Sequence, residues 1–575
     1  MVKLNKLSNT QKQLIAALIC LIASVIVMMP YFFANSLHAG VDMSFHLNRI
    51  YDVAQNIKQG KFFSYIETYA MNQVGTPINM VYGILPVYPL AIALAVIGNP
   101  ILAIYSGWCF IVFISMLVSY FCGLKYWNGN KKKALIFSFI YVLSAYNFSW
   151  MFLTFDVGQT AGYVFLPLIV YGTYSIFFRE KAEWLLLALG MTGVVYSHIL
   201  SFLMYLVVVI LIIVIALFTA TGFWRKLKYI IYAGIVTILM TAFYWSTLFT
   251  IYTSNHLFIT KSGTLSTAGI GLGDAIIKAL NNDESVGAVL VITTVIGLFL
   301  WKKQSITNRI AGTIGIVFFV ATTSVFEGVW NFVNKTPIVV LQWTGRILCI
   351  SNFFLALFAV ETLWIIITET KYVHRWTTAI LGVVIISLLG ASYSFLITRA
   401  NQTVINYKPS SEKTLPFSDY QITSKQGFNY MVKGFNEGVG SIDYWPYTSM
   451  KKYMVEIQEH VALINGHREK ITPQSIPNGI VYNIYSSKDK VSADLPFLNY
   501  NSYTVTINGK KVDYTKTKRN TIGVILNKGN NKINIVYQAS FIIKAAETIS
   551  WLTFVVLLLF RVIKHLKKKY QKKNS

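Results

Sequence analysis

Leu14-Ile-Ala-Ala-Leu-Ile-Cys-Leu-Ile-Ala-Ser-Val-Ile-Val-Met-Met-Pro-Tyr-Phe-Phe33 runs for twenty residues without a charge, and Gly40-Val-Asp-Met-Ser-Phe-His-Leu-Asn-Arg-Ile50 follows it closely. Twenty apolar residues in a helix reach about 30 Å, the thickness of a bilayer's hydrocarbon core. Lys3, Lys6 and Lys12 precede the run in the charge order of a signal peptide. The run is too long for a signal-peptide core and no A-x-A pattern follows it. It therefore reads as an uncleaved anchor with the N-terminus in the cytoplasm. The second stretch sets a carboxylate, an imidazole and a guanidinium beside that span, where ionisable groups are costly without a partner or a task. In a helix, Asp42, His46 and Arg49 fall at i, i+4 and i+7 and share one face. That is a place for chemistry on a lipid-linked substrate.

Composition agrees with a chain that lives in a membrane. Of 575 residues, 55% are hydrophobic and 13% charged, against about 25% charged in soluble domains. The net charge of +27 comes from short basic runs between apolar segments and from the tail Arg561-Val-Ile-Lys-His-Leu-Lys-Lys-Lys. This is the positive-inside pattern and not the footprint of a nucleic-acid binder. Cys20, Cys109, Cys122 and Cys349 all lie in apolar segments, with no metal-ligand spacing, and read as small buried hydrophobes.

Apolar runs of spanning length recur at roughly 13–33, 81–98, 101–123, 134–151, 160–178, 184–197, 200–220, 229–249, 286–301, 310–326, 347–368, 378–397 and 542–560. Basic loops at 125–133, 179–181, 225–228, 302–309 and 371–375 mark the cytoplasmic side. Loops 34–80, 152–159, 250–285, 327–346 and 398–541 then face outward. Two runs before the first basic loop conflict with the single crossing the charge rule requires, so one of 81–98 and 101–123 is expected to dip without crossing, unless a further span lies there. The expected fold is an all-α polytopic bundle of about 12 to 14 transmembrane helices. Residues 1–397 form the membrane domain, 398–541 a partly β extracytoplasmic domain, and 542–575 a last span and basic cytoplasmic tail. Within 398–541, Tyr503-Thr-Val-Thr-Ile and Lys510 to Tyr514 flank Asn508-Gly509 as a type I′ hairpin. Thr521–Leu526 and Lys532–Tyr537 are expected to pair around Asn527 to Asn530.

The first outer loop continues through a helix closing near Gly60, then Gly75-Thr-Pro77 and Tyr82-Gly-Ile-Leu-Pro-Val-Tyr-Pro-Leu90. This order of Asp42-x-Ser-Phe-His46-Leu-x-Arg49-Ile, a glycine, Gly-x-Pro and Tyr-Pro-Leu resembles the large bacterial YfhO-type membrane proteins. It is also similar to a group called 6-pyruvoyl-tetrahydropterin synthase-related membrane proteins, and through them to the GT-C glycosyltransferases. The resemblance covers nearly the whole chain. Ser197-His198 and Leu341-Gln-Trp-Thr-Gly-Arg-Ile-Leu348 take part in it, as does Asp494-Leu-Pro-Phe-Leu-Asn-Tyr500 followed by Ile507-Asn-Gly-Lys510. The chain departs from the pattern at Thr344-Gly345, where Pro-Trp is usual. It departs again at Gln159, where relatives carry Glu, which leaves Asp156 as the acid of that loop.

The resemblance implies a catalytic carboxylate in the first outer loop and a polyprenyl-phosphate sugar as donor. A sugar leaves its lipid phosphate when an acceptor hydroxyl attacks C1, and a carboxylate can take the hydroxyl's proton. Asp42 is the expected base. Arg346 suits the departing phosphate, since a guanidinium offers paired donors; Arg49 comes next, then His46 and His198, with Asp156 as a further substrate contact. The acceptor is expected to be a cell-envelope teichoic acid, lipid or wall polysaccharide. No tight metal-ligand cluster and no resident cofactor are evident. Bland readings stand beside these. Asp42 and Asp156 suit helix caps, Arg346 an interfacial anchor, and Glu361 sits inside a span without a role. Two other functions fit the pattern: a transporter or flippase of a lipid-linked glycan, and a non-enzymatic envelope-assembly protein. A transporter is expected to hold its charges in broken helices at mid-membrane; here most sit in outer loops.

Overall fold

The structure is a computed structural model that describes residues 8–38, 40–259, 263–369, 377–398, 403–404, 420–433 and 442–574. The basic loop at 371–375, and most of the segment 398–441 where the C-terminal domain is expected to begin, lie outside the described residues. Helix α1 (Asn9–Ala34) is the first apolar run. Ser8 opens it with a capping box, its Oγ accepting from Gln11 N while Gln11 Oε1 accepts from Ser8 N. Helices α2 (Met43–Lys58), α3 (Ile78–Val81) and α4 (Val87–Val96) build the first loop, and α5 (Pro100–Tyr126) runs back through the bundle. Helices α6 (Lys131–Val142) and α7 (Ala145–Phe148) lead into a π-helical turn, Ser149–Thr154, before α8 (Val157–Tyr163) and α9 (Leu166–Phe178). Then come α10 (Trp184–Val195), α11 (Ile199–Thr219), α12 (Phe223–Met240), α13 (Ala242–Ser254), α14 (Leu272–Leu280), α15 (Ala288–Phe299), α16 (Ile306–Val320), α17 (Glu327–Val333), α18 (Leu348–Glu369) and α19 (Thr377–Thr398). The helical complement ends with α20 (Lys425–Lys433), α21 (Tyr447–Gln458) and α22 (Phe541–Asn574).

Among the described residues six helical segments are long and apolar enough to cross a membrane, and nine if each of three bent pairs forms one span. That is fewer than the 12 to 14 expected. Four of the runs contribute described apolar helices of only 10–17 residues: α4, α10, α15 and Gly382–Ile397 of α19. Of the two runs before the first basic loop, α4 is the shorter helix. Its 10 residues rise about 15 Å, half a bilayer core, so α5 alone has spanning length before the basic loop that follows.

The described basic loops around Lys125, Arg179 and Lys226 gather at one end of the bundle. Lys125 Nζ meets Glu183 at 2.9 Å, Lys226 Nζ donates to the Phe177 carbonyl at 2.6 Å, and Arg179 donates to the Tyr126 carbonyl. Glu361 finds its partners here, accepting from Lys133 Nζ at 2.7 Å and from the Trp127 indole. A carboxylate within an apolar helix is therefore matched by a cation from the neighbouring loop.

Strands β1 (Leu37–His38), β2 (Thr403–Val404) and β3 (Tyr420–Ile422) form a small sheet in the order β1-β3-β2, tying the chain after α1 to the region before α20. The C-terminal domain is a sandwich of ten strands: β4 (Val461–Ile464), β5 (His467–Lys470), β6 (Gln474–Ile476), β7 (Gly479–Ser486), β8 (Val491–Leu498), β9 (Tyr503–Ile507), β10 (Lys510–Val512), β11 (Thr515–Lys516), β12 (Thr521–Leu526) and β13 (Gly529–Tyr537). The sheets run β10-β9-β13-β7-β6 and β11-β12-β8-β4-β5. They share one apolar core in which Tyr482, Phe497, Val505, Ile522 and Ile535 are buried. The Asn508-Gly509 hairpin forms as expected, with Ile507 opposite Lys510 and both turn residues at positive φ. The second expected hairpin does not: β12 pairs with β8, and β13 with β7 and β9. Both strands bury alternate residues in the same core from opposite sheets, so the chain crosses between sheets at Asn527. The Asn531 amide knits that corner, donating to the Asn527 and Gly529 carbonyls at 2.8 and 3.0 Å.

The sandwich sits on the first loop. Asn478 Oδ1 accepts from Tyr65 N, Asn478 Nδ2 donates to the Phe63 carbonyl, Thr68 Oγ1 donates to the Ile476 carbonyl, and Leu498 N donates to the Val74 carbonyl. Inside it, buried Arg519 grips both Asp494 oxygens at 2.8 and 2.9 Å and donates to the Val461 carbonyl at 2.8 Å. Removing one member of a buried charge pair costs about 3–5 kcal/mol. Arg519→Ala should therefore lower the denaturant midpoint of the C-terminal domain in the full chain, followed by limited proteolysis. An unchanged midpoint would contradict this account of the core.

Candidate functional site

Separate turns of the chain meet at the end of the bundle opposite the basic loops. The first is Gly40 to Asp42, which lies along the π-helical turn: Val41 N donates to the Leu153 carbonyl at 3.2 Å and Asp42 N to the Thr154 carbonyl at 2.8 Å. The approach is close enough that a Cβ on Gly40 would stand 2.7 Å from Phe155 Cβ. The second turn is Phe155-Asp156. Phe155 takes a left-handed φ of 59°, Asp156 N donates to the Trp150 carbonyl at 3.0 Å, and Asp156 Oδ1 accepts from Gln159 N at 2.8 Å to cap α8. The third leads into α18. There Arg346 Nη1 donates to Gln159 Oε1 at 2.6 Å and lies 3.4 Å from Asp156 Oδ2, while Nη2 donates to Gln342 Oε1 at 3.1 Å. The guanidinium lies over the Trp150 ring, 5.1 Å from its centre. The fourth turn precedes α11, where His198 Nδ1 accepts from Ser201 N at 3.2 Å and faces Ser201 Oγ at 2.8 Å. The backbone donor makes Nδ1 the unprotonated nitrogen, so neutral His198 carries its proton on Nε2.

The two aspartates have opposite fates. Asp156 is buried, which by itself would push its carboxyl up. Its interactions with His198, then Arg346 and His46, together with the Gln159 amide outweigh this and hold it below the ordinary carboxylate range. Asp42 heads α2 but makes no cap bond. Burial raises its pKa to about 7; the charge of Asp156 adds to this and Arg346 opposes it. His46 and His198 are pushed down to about 3 and 4, chiefly by burial, so both imidazoles are neutral at pH 7. The site thus holds a fixed ion pair, a carboxylate that titrates near neutrality, and two neutral imidazoles beside Tyr82. The Tyr82 ring centre lies 6.1 Å from that of His46 and 5.9 Å from that of His198. Among the described residues, His46 Nδ1 and Arg346 Nε are buried without a partner.

Five of the six residues singled out from sequence come together: Asp42, His46, Asp156, His198 and Arg346. Arg49 lies behind them, with Nη1 buried and unpartnered among the described residues. Its Nε donates to Asn79 Oδ1 at 3.1 Å and its Nη2 to the Gly83 carbonyl at 2.7 Å, with the Tyr82 ring 4.8 Å away. It holds the Tyr82-Gly83 turn against Ser197, so tightly that a Cβ on Gly83 would overlap the Ser197 carbonyl. The shared face of Asp42, His46 and Arg49 is real as helix geometry, but α2 is buried on all sides and its last member points to backbone. Gln159, which stands where an acid was anticipated, is a neutral acceptor for Arg346 and donates to Tyr146 Oη at 2.6 Å. Among the described residues no group of three or more His, Cys, Asp or Glu is placed to hold a metal ion.

Sequence reasoning missed two buried carboxylates that shape the first loop. Asp52 accepts from Ser64 Oγ at 2.6 Å and from Thr68 N and Tyr69 N at 2.8 Å. Glu67 accepts from Ile78 N and Asn79 N, each at 2.9 Å. Their partners are mostly main-chain amides, which leave no trace in side-chain spacing. The apolar groove beside the site was also unforeseen. It is an open groove of about 310 Å³ between α4, α5 and α8–α9, lined by Leu85, Tyr88, Ile92, Ile114, Val164 and Ser197, the residue before His198.

No protein-family model matches this chain, and no curated protein and no solved structure matches it. The two aspartates should separate on substitution. Asp156→Ala removes a helix cap and half of a buried ion pair, a loss of about 3 kcal/mol or more, seen as a lower thermal midpoint in detergent. Asp42→Asn removes a carboxylate with no hydrogen-bond partner, so the midpoint at pH 8 should stay the same or rise.

Proposed function

We propose that this protein is a membrane glycosyltransferase that moves a sugar from a polyprenyl phosphate to an extracytoplasmic cell-envelope acceptor. The observation that carries the reading is Asp42: a partly exposed carboxylate with no hydrogen bond to its side chain among the described residues, whose pKa stands near 7, near the half-buried Arg346. A general base works best when its pKa lies near the operating pH, and a carboxylate serving only as a cap would be bonded to the helix it heads. In this reading Asp42 takes the proton of the acceptor hydroxyl as that oxygen attacks C1 of the sugar. The C1–O bond to the lipid phosphate breaks, and the phosphate leaves with the bonding pair. Arg346 lies where its guanidinium can meet the growing negative charge, and its Nε–H has no partner among the described residues. Asp156 and Gln159 fix the guanidinium plane, and Arg49 positions the Tyr82 turn without touching substrate. His198 offers Nε2–H to a sugar or phosphate oxygen. The groove from Ser197 along α4 and α5 suits the isoprenoid chain, whose apolar length would lie against Leu85, Ile92 and Ile114.

The basic loops at the opposite end support an orientation with that end in the cytoplasm and the site and sandwich outside. The host would then be the cytoplasmic membrane. The acceptor would be a teichoic acid, a lipid or a wall polysaccharide, approaching past the sandwich.

The test is transfer of radiolabelled sugar in membranes from a panel of polyprenyl-phosphate donors, with envelope extract as acceptor. Asp42→Asn should lower transfer by about 10²–10⁴-fold, and Arg346→Ala by about 10²–10³-fold, at unchanged protein level. The base form of Asp42 is lost as pH falls through its pKa. Wild-type transfer should therefore fall about tenfold per unit below pH 7 and level off above about pH 8, and the residual activity of Asp42→Asn should lack that slope. Full activity in Asp42→Asn would remove the base assignment. Labelled lipid crossing vesicles without sugar transfer would replace the enzyme by a transporter.

A further inference from the structure

We infer that α14 and the segment from α17 to Trp343 lie in the plane of the bilayer surface, their outer faces set in the headgroup and acyl boundary beside Arg346. Helix α14 has three distinct sectors. Ala275 and Ala279 are buried, Asp274 and Lys278 point to a polar side, and Leu272, Ile276, Ile277 and Leu280 are exposed on one apolar arc, Ile277 by 57%. A helix in water would turn these large residues inward; here small ones pack inward and large ones face out, the arrangement of an interfacial helix.

The neighbouring segment repeats the pattern. The chain leaves α16 and bends by 83° into Ser324–Val333, so the second half runs across the direction of the first. Trp330 is buried, its indole donating to the Ala321 carbonyl at 2.7 Å, while Val325, Val329 and Phe332 face out, Phe332 by 69%. Ser324 N donates to the Ile270 carbonyl at 2.8 Å, which sets the start of this segment against the start of α14. Ile338, Val340 and Trp343 extend the exposed apolar surface to within three residues of Arg346.

The occupant is lipid because the surface continues from faces that a bilayer must cover. Ile292, Val295, Leu298 and Phe299 of α15, and Val317 of α16, are exposed on the helices that these segments join. A soluble partner would meet an apolar patch isolated by polar surface; this one merges with the flanks of the bundle. Lys278 and Lys335 stand exposed at its border, where cations meet lipid phosphates. In this arrangement Trp343, whose ring centre lies 5.5 Å from that of Trp150 under Arg346, connects the bilayer surface to the site.

The inference concerns depth and not reaction, so its test stands apart from any transfer assay. Nitroxide labels would be placed by Ile277→Cys, Phe332→Cys and, as a reference, Lys278→Cys, with Cys20, Cys109, Cys122 and Cys349 replaced by Ala. The carriers are vesicles of phosphatidylethanolamine and phosphatidylglycerol. At 277 and 332 the ratio of oxygen collisions to collisions with a water-soluble nickel chelate should exceed that at 278 by at least several-fold. Nickel access at 277 and 332 equal to that at 278 would overturn the inference. So would low access to both reagents, which would mean that a second copy covers the face. In case the cysteine-free chain fails to fold, a diazirine phospholipid photolysed with the unaltered protein gives the same reading. Adducts within 272–280 and 325–343 support it, and adducts confined to the long helices overturn it.

Discussion

The juxtaposition of two aspartates from distant parts of the chain organises this structure, and two main-chain hydrogen bonds create it. Val41 and Asp42 donate to the carbonyls of Leu153 and Thr154, which places Asp42 and Asp156 within each other's field. Two carboxylates in a poorly solvated site cannot both ionise freely. Asp156 is the one held ionised, by His198, Arg346 and His46 together, and Asp42, raised chiefly by its own burial, is left to bind its proton near neutrality. The π-helical turn, the left-handed Phe155 and the absence of a side chain at Gly40 all serve this approach.

Around that centre the first loop is made rigid by charges turned inward. Asp52 collects main-chain amides from Thr68 and Tyr69, Glu67 caps the short helix at Ile78, and Arg49 satisfies the carbonyl of Gly83. Among the described residues, His46 Nδ1, Arg49 Nη1 and Arg346 Nε are polar atoms around the site left unmatched. The same contrast separates Asp42, which heads α2 without capping it, from Asp156, which caps α8. The β-sandwich adds to the rigidity. Its Asn478 and Leu498 are bonded to the very loop that carries Asp52 and Glu67, so a movement of one is felt by the other.

Much of this was legible in residue order. The first long apolar helix and the Asn508-Gly509 hairpin follow from apolar length and turn chemistry. Asp42, His46, Asp156, His198 and Arg346 stood out because ionisable residues at the ends of apolar runs are few. Arg49 stood out for the same reason; its Nε and Nη2 hold Asn79 and the Tyr82-Gly83 turn, contacts that spacing on a helix does not reveal. Hydropathy sees apolar runs and not their division into short or bent helices, such as α4 and the pair α12–α13. The strand pair around Asn527 failed because adjacency in sequence does not say which sheet of a sandwich a strand will join.

The sequence by itself determined that this chain belongs in a membrane, where its charges concentrate, and which few polar residues border the apolar runs. These are one-dimensional properties, set by the length and composition of local segments and by their transfer free energies. The tertiary structure alone decided that Asp42 faces Asp156, that Arg346 is shared with Gln159, that Arg49 serves the Tyr82 turn, and that a groove opens beside His198. Each depends on the separation of groups far apart in the chain. Charge interaction and burial act through space and vary steeply with distance and local dielectric, and no pattern along the sequence encodes that distance.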